Sequence, residues 1–327
     1  MSEQANQSPE AFSNEQELTA HYPGGKVEYS VVGDKGEQNP VLMVPGFTIG
    51  KLVQRDFANS LHELGNREVI FSDQPVIDKD SKKNLSALDL QAEAILAILK
   101  QQGLEHQPVD FIAHSFGSLI TARAAELAAE RGITSFDSKR GSHSVFIAPA
   151  GSNENENIFY LGGRFAKFMT KSIPYGRELD PTGGWMKAGT KNFTKNLRKT
   201  TKEILVLKEK EQIYKKLGRL GLKPHVLGFA SDDLYPHKTI GSTAEKHGEA
   251  LDGYSVPVDS SGVGAASFEE FKEKTNLTGK DARKAWAHHY RNAGHNDFLF
   301  HPKRTVKAIL PILEHDHKLK EKNRIVL

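Results

Sequence analysis

The stretch "VDFIAHSFGSLITARAAEL", residues 109–127, decides the fold. Residues 109–113 read as a short apolar strand, and from Phe116 onward Leu119, Ile120, Ala124 and Leu127 recur at helical spacing. One serine, Ser115, stands between the two. The positions two before and two after it are small, Ala113 and Gly117. A strand that turns this tightly into a helix leaves the serine hydroxyl at the carboxyl edge of a sheet. There the unpaired N–H groups and the positive end of the helix converge. An oxyanion formed by attack of that hydroxyl on a carbonyl would be stabilised at the same spot.

The neighbouring segments extend the pattern. "KVEYSVVGD" (residues 26–34) alternates as a strand does, while "NPVLMVPGF" (39–47) is apolar on both faces. "REVIFSD" (67–73) is a third strand, and "HSVFIAPAG" (143–151) and "KPHVLGFASDD" (223–233) are two more. Strands without a polar face belong in a sheet covered on both sides. "LSALDLQAEAILAILKQQG" (85–103) is a helix, with Leu88, Ala92, Ile95 and Leu99 along one face and Gly103 at its stop. Strands alternating with helices predict an α/β architecture: a doubly wound, mostly parallel sheet.

Three regions depart from this alternation. Residues 1–22 are polar and are expected to be disordered or loosely attached. Residues 152–220 contain no convincing strand and hold 15 Lys and Arg against 7 Asp and Glu, a net of +8. They are expected to form a helical basic cap between core segments 23–151 and 221–327. Residues 238–283 are rich in Ser, Gly and Lys and are expected to be a long irregular insertion. The final strand of the sheet has one candidate, "KAWAHHYRN" at 284–292.

Bulk composition narrows the function classes. A chain of 327 residues suits one large domain, or a domain with an insertion. With no cysteine, disulfides, cysteine metal sites and thiol catalysis are excluded. There is no run of about 20 apolar residues to span a membrane, and the polar N-terminal stretch lacks a secretory h-region. The expected location is therefore the cytoplasm. A net charge of +3 does not by itself imply a nucleic-acid partner, and none is expected. His315 and His317 flank Asp316, but at that spacing on a helix they point apart, so no metal site is read there.

The pentad A-H-S-F-G, residues 113–117, resembles the nucleophile elbow G-x-S-x-G of the α/β-hydrolase family, with alanine in place of the first glycine. That family runs in the order Ser, acid, His. The resemblance implies Asp232 as the acid, in "FASDDLYPH" after a strand and four residues before Pro236. Asp233 is the alternative acid. It implies His295 as the base, in "RNAGHNDFLFHP" ahead of the final helix. "VPGFTIG" (44–50) occupies the place of the family's oxyanion loop, so the backbone N–H groups of Phe47 and Phe116 are the implied donors. Gly46 lets the backbone approach closely. "IAPAG" (147–151) closes a strand where the family often inserts its cap.

The implied function is a serine hydrolase cleaving a carboxylic ester through an acyl-enzyme on Ser115, with no metal and no organic cofactor. Thioesterase, amidase and C–C hydrolase chemistry use the same triad. A catalytically silent hydrolase fold, binding through the basic cap, is the reading from another class. The expected partner is a small-molecule ester. An anionic or lipid-like ester, and contact with a membrane surface, would suit the basic segment and the apolar residues of "IFYLGGRFAKFM" (158–169). Oligomeric state is left open.

Overall fold

A computed structural model describes residues 15–46, 49–74, 86–150, 217, 220, 222–229, 253–255, 268–283, 297–300 and 302–314. The expected cap at 152–220, apart from Leu217 and Leu220, and the candidate strand at 284–292 lie outside the described residues.

The sheet has eight strands in the order β1-β2-β4-β3-β5-β6-β7-β8. They are β1 (Glu15–Tyr22), β2 (Gly25–Val32), β3 (Val41–Val44), β4 (Val69–Ser72), β5 (Asp110–His114), β6 (Ser144–Ile147), β7 (His225–Leu227) and β8 (Gly253–Ser255). β2 is antiparallel to both β1 and β4, and every pairing from β4 to β8 is parallel. Parallel neighbours need crossovers, and helices supply them. α1 (Lys51–Gly65) joins β3 to β4, α2 (Ala87–Gln101) joins β4 to β5, and α3 (Gly117–Glu130) joins β5 to β6. Farther along lie α4 (Phe268–Thr275), α5 (Asp297–Phe300) and α6 (Pro302–Leu313). α2 packs on α3, while α1 packs on α5 and α6. All residues of β3 to β6 are buried, as a sheet covered on both faces requires.

Chain direction explains where a ligand can sit. From β3 the chain crosses to β4 on one side, whereas from β5 it crosses to β6 on the other. β3 and β5 are neighbours, with Val44 opposite Ala113. Their carboxyl ends therefore open at a topological switch point, where open α/β sheets leave a crevice.

Two sequence expectations are corrected. The N-terminal segment is not loose throughout, because residues 15–22 form β1, paired along its whole length with β2. Ala20 and Tyr22 are buried and Leu18 packs against the core, so the strand has one apolar face. Its acids are anchored on α1: Glu15 pairs with Arg55 at 2.7 Å and Glu17 with Lys51 at 3.3 Å. The segment at 238–283 is not irregular throughout either. It contains β8 and α4, and β8 extends the sheet beside β7. Three residues, Gly-Tyr-Ser, are too few to show a period of two.

Helix α2 begins with a capping box. The Ser86 side chain accepts from the Asp89 N–H, and Asp89 reaches back to the Ser86 N–H. The Asp89 carboxylate also accepts from Arg123 Nε at 2.6 Å, tying α2 to α3.

At the amino edge of the sheet a buried charge network closes the core. Arg67 donates to Asp110 Oδ2 at 2.5 Å, and both side chains are fully buried. Asp110 Oδ1 accepts from the His143 N–H at 2.8 Å and from Asn39 Nδ2 at 3.2 Å. Arg67 also reaches the Leu313 carbonyl at 3.3 Å, at the end of α6. A buried charge pair needs this many partners to offset its desolvation.

Candidate active site

Ser115 lies between β5 and α3, with φ at 50°, in the left-handed region that side-chain-bearing residues rarely enter. The surrounding backbone enforces this conformation. The Ser115 N–H donates to the Ile147 carbonyl at 2.8 Å, and the Ser115 carbonyl accepts from the Ala150 N–H at 3.0 Å. Both groups are thus held by the chain leaving β6. Ala148 in that chain has φ at 43°, and its N–H donates to the Leu227 carbonyl of β7 at 2.7 Å. Adjacent strands therefore end in two strained residues. Such strain costs on the order of 1–3 kcal/mol each and persists only where its surroundings impose it.

The glycines flanking the serine are fixed by contact. A Cβ on Gly117 would lie 2.3 Å from the Val44 carbonyl oxygen and 2.8 Å from that of Pro45. The first turn of α3 is pressed against the end of β3, so no side chain fits there. A Cβ on Gly46 would lie 2.5 Å from His114 Nδ1 and 3.1 Å from Ser115 Cβ. The chain leaving β3 thus passes directly over the serine. Ala113, by contrast, lies within β5, fully buried between Val44 and Phe146. A methyl is accommodated at the position where the resemblance has glycine.

Ser115 is 7% exposed, and Phe116 behind it is buried at the N-cap of α3. The Ser118 N–H returns to the Ser115 carbonyl at 3.1 Å, starting the helix directly from the bend. His114 is buried, with its ring 4.5 Å from that of Phe298 on α5. Phe298 also meets Phe57 of α1 edge-on at 5.2 Å. α5 therefore reaches the residue next to the serine. Asp232, Asp233, His295 and Phe47 lie outside the described residues. In sequence, His295 precedes α5 by two positions, and Asp232 follows Phe229, the last described residue after β7, by three.

A residue with no sequence signal also stands at this edge. Asp73 follows β4, and its Oδ1 accepts from the Lys51 N–H at 2.7 Å, at the start of α1. Burial pushes its carboxyl above the ordinary value of 3.8. The Lys51 N–H and ammonium oppose that shift, while Glu28 and Glu17 add to it. A cavity of about 370 Å³, lined by His21, Tyr22, Glu93, Leu96, Arg131 and Ile133 among others, lies beyond the C-terminal end of α3. The 14-residue length of that helix separates it from Ser115.

No family model matches the chain, and no curated protein is similar to it in sequence. Solved structures do match. An esterase from Thermogutta terrifontis superposes with a TM-score of 0.54 at 14% identity, over 92% of this chain and 99% of its own. A membrane phospholipase A described as a bacterial virulence factor gives 0.57 at 14%, over 92% and 86%. A bromoperoxidase from Bacillus anthracis gives 0.54 at 16%, over 91% and 100%. The chain has the α/β-hydrolase fold. In that fold the strand–serine–helix bend at Ser115 stands where the switch point opens. Identities this low establish the architecture alone, and the activity must be argued from the site. Among the described residues, no helix is long and apolar enough to cross a membrane.

Proposed function

We propose that the chain is a serine hydrolase that cleaves a carboxylic ester through an acyl-enzyme on Ser115, with Asp232 and His295 completing the triad. One observation carries this reading. Ser115 holds a strained φ of 50° at the switch point of the sheet, clamped through both its N–H and its carbonyl by the chain leaving β6. A helix cap needs no such strain, whereas exposing a nucleophile at the head of a helix does. The contact between Phe298 and His114 supports His295 as the base, because His295 is three residues from a side chain touching the serine's neighbour. Two of the matched structures, described as an esterase and a phospholipase A, act on esters by name.

The steps follow from the chemistry of the groups. His295 takes the proton of the Ser115 hydroxyl as Oγ attacks the ester carbonyl. The carbonyl π electrons move to oxygen, and the resulting oxyanion accepts from the Phe116 N–H at the head of α3 and from the Phe47 N–H of the β3–α1 segment. Collapse expels the alcohol, which takes the proton from His295 and leaves the acyl group on Oγ. Water, deprotonated by His295, attacks the acyl carbon; collapse breaks the bond to Oγ, which takes the proton back from His295 as the acid is released. Asp232 orients the imidazole and stabilises its cation. The strongly basic segment at 152–220 favours esters that carry negative charge or lie at an anionic surface.

The test is steady-state hydrolysis of nitrophenyl esters of graded chain length. Ser115→Ala and His295→Ala are expected to lose about 10⁴-fold or more in kcat. Asp232→Asn is expected to lose about 10⁴-fold, with Asp233→Asn within a few-fold of the parent. A parent that turns over no ester contradicts the reading. If Asp233→Asn alone abolishes turnover, the acid is Asp233.

A further inference from the structure

α1 begins without a cap of its own. Its N-cap residue is Gly50, which has no side chain to accept an N–H of the first turn. The acceptor comes instead from another strand: Asp73, just past β4, takes the Lys51 N–H at 2.7 Å. The fit is close, since a Cβ on Gly50 would lie 3.0 Å from Asp73 Oδ1. The segment that leads into α1 is the one that leaves β3, and its Gly46 lies against His114 and Ser115. Its entry is fixed by Gly46 against His114 and Ser115, and the Ile49 N–H turns back to the Gly46 carbonyl at 3.3 Å. Its exit is fixed by Asp73, itself held through its N–H on the Glu28 carbonyl at 2.9 Å.

We infer that Asp73 is a positioning residue for hydrolysis at Ser115: by holding the start of α1, its carboxylate sets where the β3–α1 segment runs past the serine and aligns the oxyanion donor that segment supplies. The inference rests on the reading of Ser115 as the nucleophile. A donor that drifts matters most where charge develops, so the effect belongs in kcat rather than KM. Asp73 faces Lys51 of α1, Glu17 of β1 and Glu28 of β2. Its folded carboxyl titrates above the ordinary value, so its ionised form is disfavoured by folding. The stability it contributes is present below the ordinary value and is lost as pH rises through its folded one.

The experiment measures kcat, KM and melting temperature for the parent, Asp73→Ala, Asp73→Asn, Gly50→Ala and the Gly50→Ala/Asp73→Ala pair. Asp73→Ala is expected to lose about tenfold in kcat, less than the roughly 100- to 1,000-fold of a donor removed outright, with KM within about threefold. Asp73→Asn keeps an oxygen for the Lys51 N–H, so kcat should return to within about threefold of the parent, with melting no lower. Gly50→Ala leaves Asp73 in place but crowds its carboxylate, so kcat should fall a few-fold. Combined with Asp73→Ala, it should add nothing. If Asp73→Ala does not fold, Gly50→Ala decides the matter: a fall in kcat at unchanged KM supports the inference, and an unchanged kcat overturns it. A parent without ester turnover overturns both this inference and the reading of Ser115. An active parent overturns this inference alone if Asp73→Ala keeps its kcat, loses only in KM, or is no slower than Asp73→Asn.

Discussion

Ser115 and Ala148 show how two adjacent strand ends share one constraint. Each adopts a positive φ, and each is held by a backbone bond to the next strand over, Ser115 on Ile147 and Ala148 on Leu227. The Ala150 N–H then closes back onto the Ser115 carbonyl. The serine's strain is thus imposed by the chain leaving β6, and that chain is strained in turn. Glycine at 148 would hold the same backbone without a Cβ penalty. Ala148→Gly is therefore expected to raise stability by up to about 1 kcal/mol, read by denaturant melts, with ester turnover retained. A loss of stability would show that the methyl of Ala148 packs better than its backbone is strained. At Gly117 the opposite holds, because a Cβ there would meet the Val44 carbonyl oxygen at 2.3 Å, which leaves alanine no room.

Among elements, legibility follows exposure. β3, β5 and β6 are readable in the sequence because helices cover both faces, which leaves unbroken apolar runs such as Val41–Val44. β1 is hidden by its place at the sheet edge. Glu15 and Glu17 face α1 cations there, and a strand with acids on one face looks like a polar tail. β8 is too short to show a period. The bend at Ser115 is legible because close packing demands small residues at fixed offsets, and that demand reads directly as Ala113 and Gly117. Asp73 is not legible, because it acts on a backbone N–H and so demands no partner residue type at any fixed spacing. The capping box of α2 is a local signal of the readable kind. Ser86→Ala is expected to cost about 1 kcal/mol in thermal melts. For Asp89, burial works to raise the carboxyl, but the hydrogen bonds and charge of Arg123 together with Ser86 outweigh it and leave it below 3.8. The stability it contributes is present above the ordinary value and is lost as pH falls through the lowered one. Arg123→Ala should flatten that acid limb.

Over the whole molecule, the two edges of the sheet divide the work. The amino edge carries the Arg67–Asp110 pair, which joins β4, β5 and the end of α6. The carboxyl edge carries Ser115, Gly46 and Asp73. Stability and chemistry are therefore separable by mutation. Arg67→Met strands a buried carboxylate and is expected to cost about 3–5 kcal/mol, while Arg67→Met/Asp110→Asn recovers part of it. With Asp110→Asn measured alone, a double variant whose loss equals the sum of the two single losses would show that the pair is not coupled. Neither variant should change the kcat of the protein that remains folded, because the network lies at the far edge from the serine.

The central claim is that Ser115 is an activated nucleophile, and covalent capture tests it most directly. Intact-mass measurement after exposure to a fluorophosphonate, followed by peptide mapping, should find one phosphonyl adduct per chain on Ser115, absent from Ser115→Ala and slowed in His295→Ala. A folded parent that takes up no adduct, or takes it up on another residue, would contradict the account.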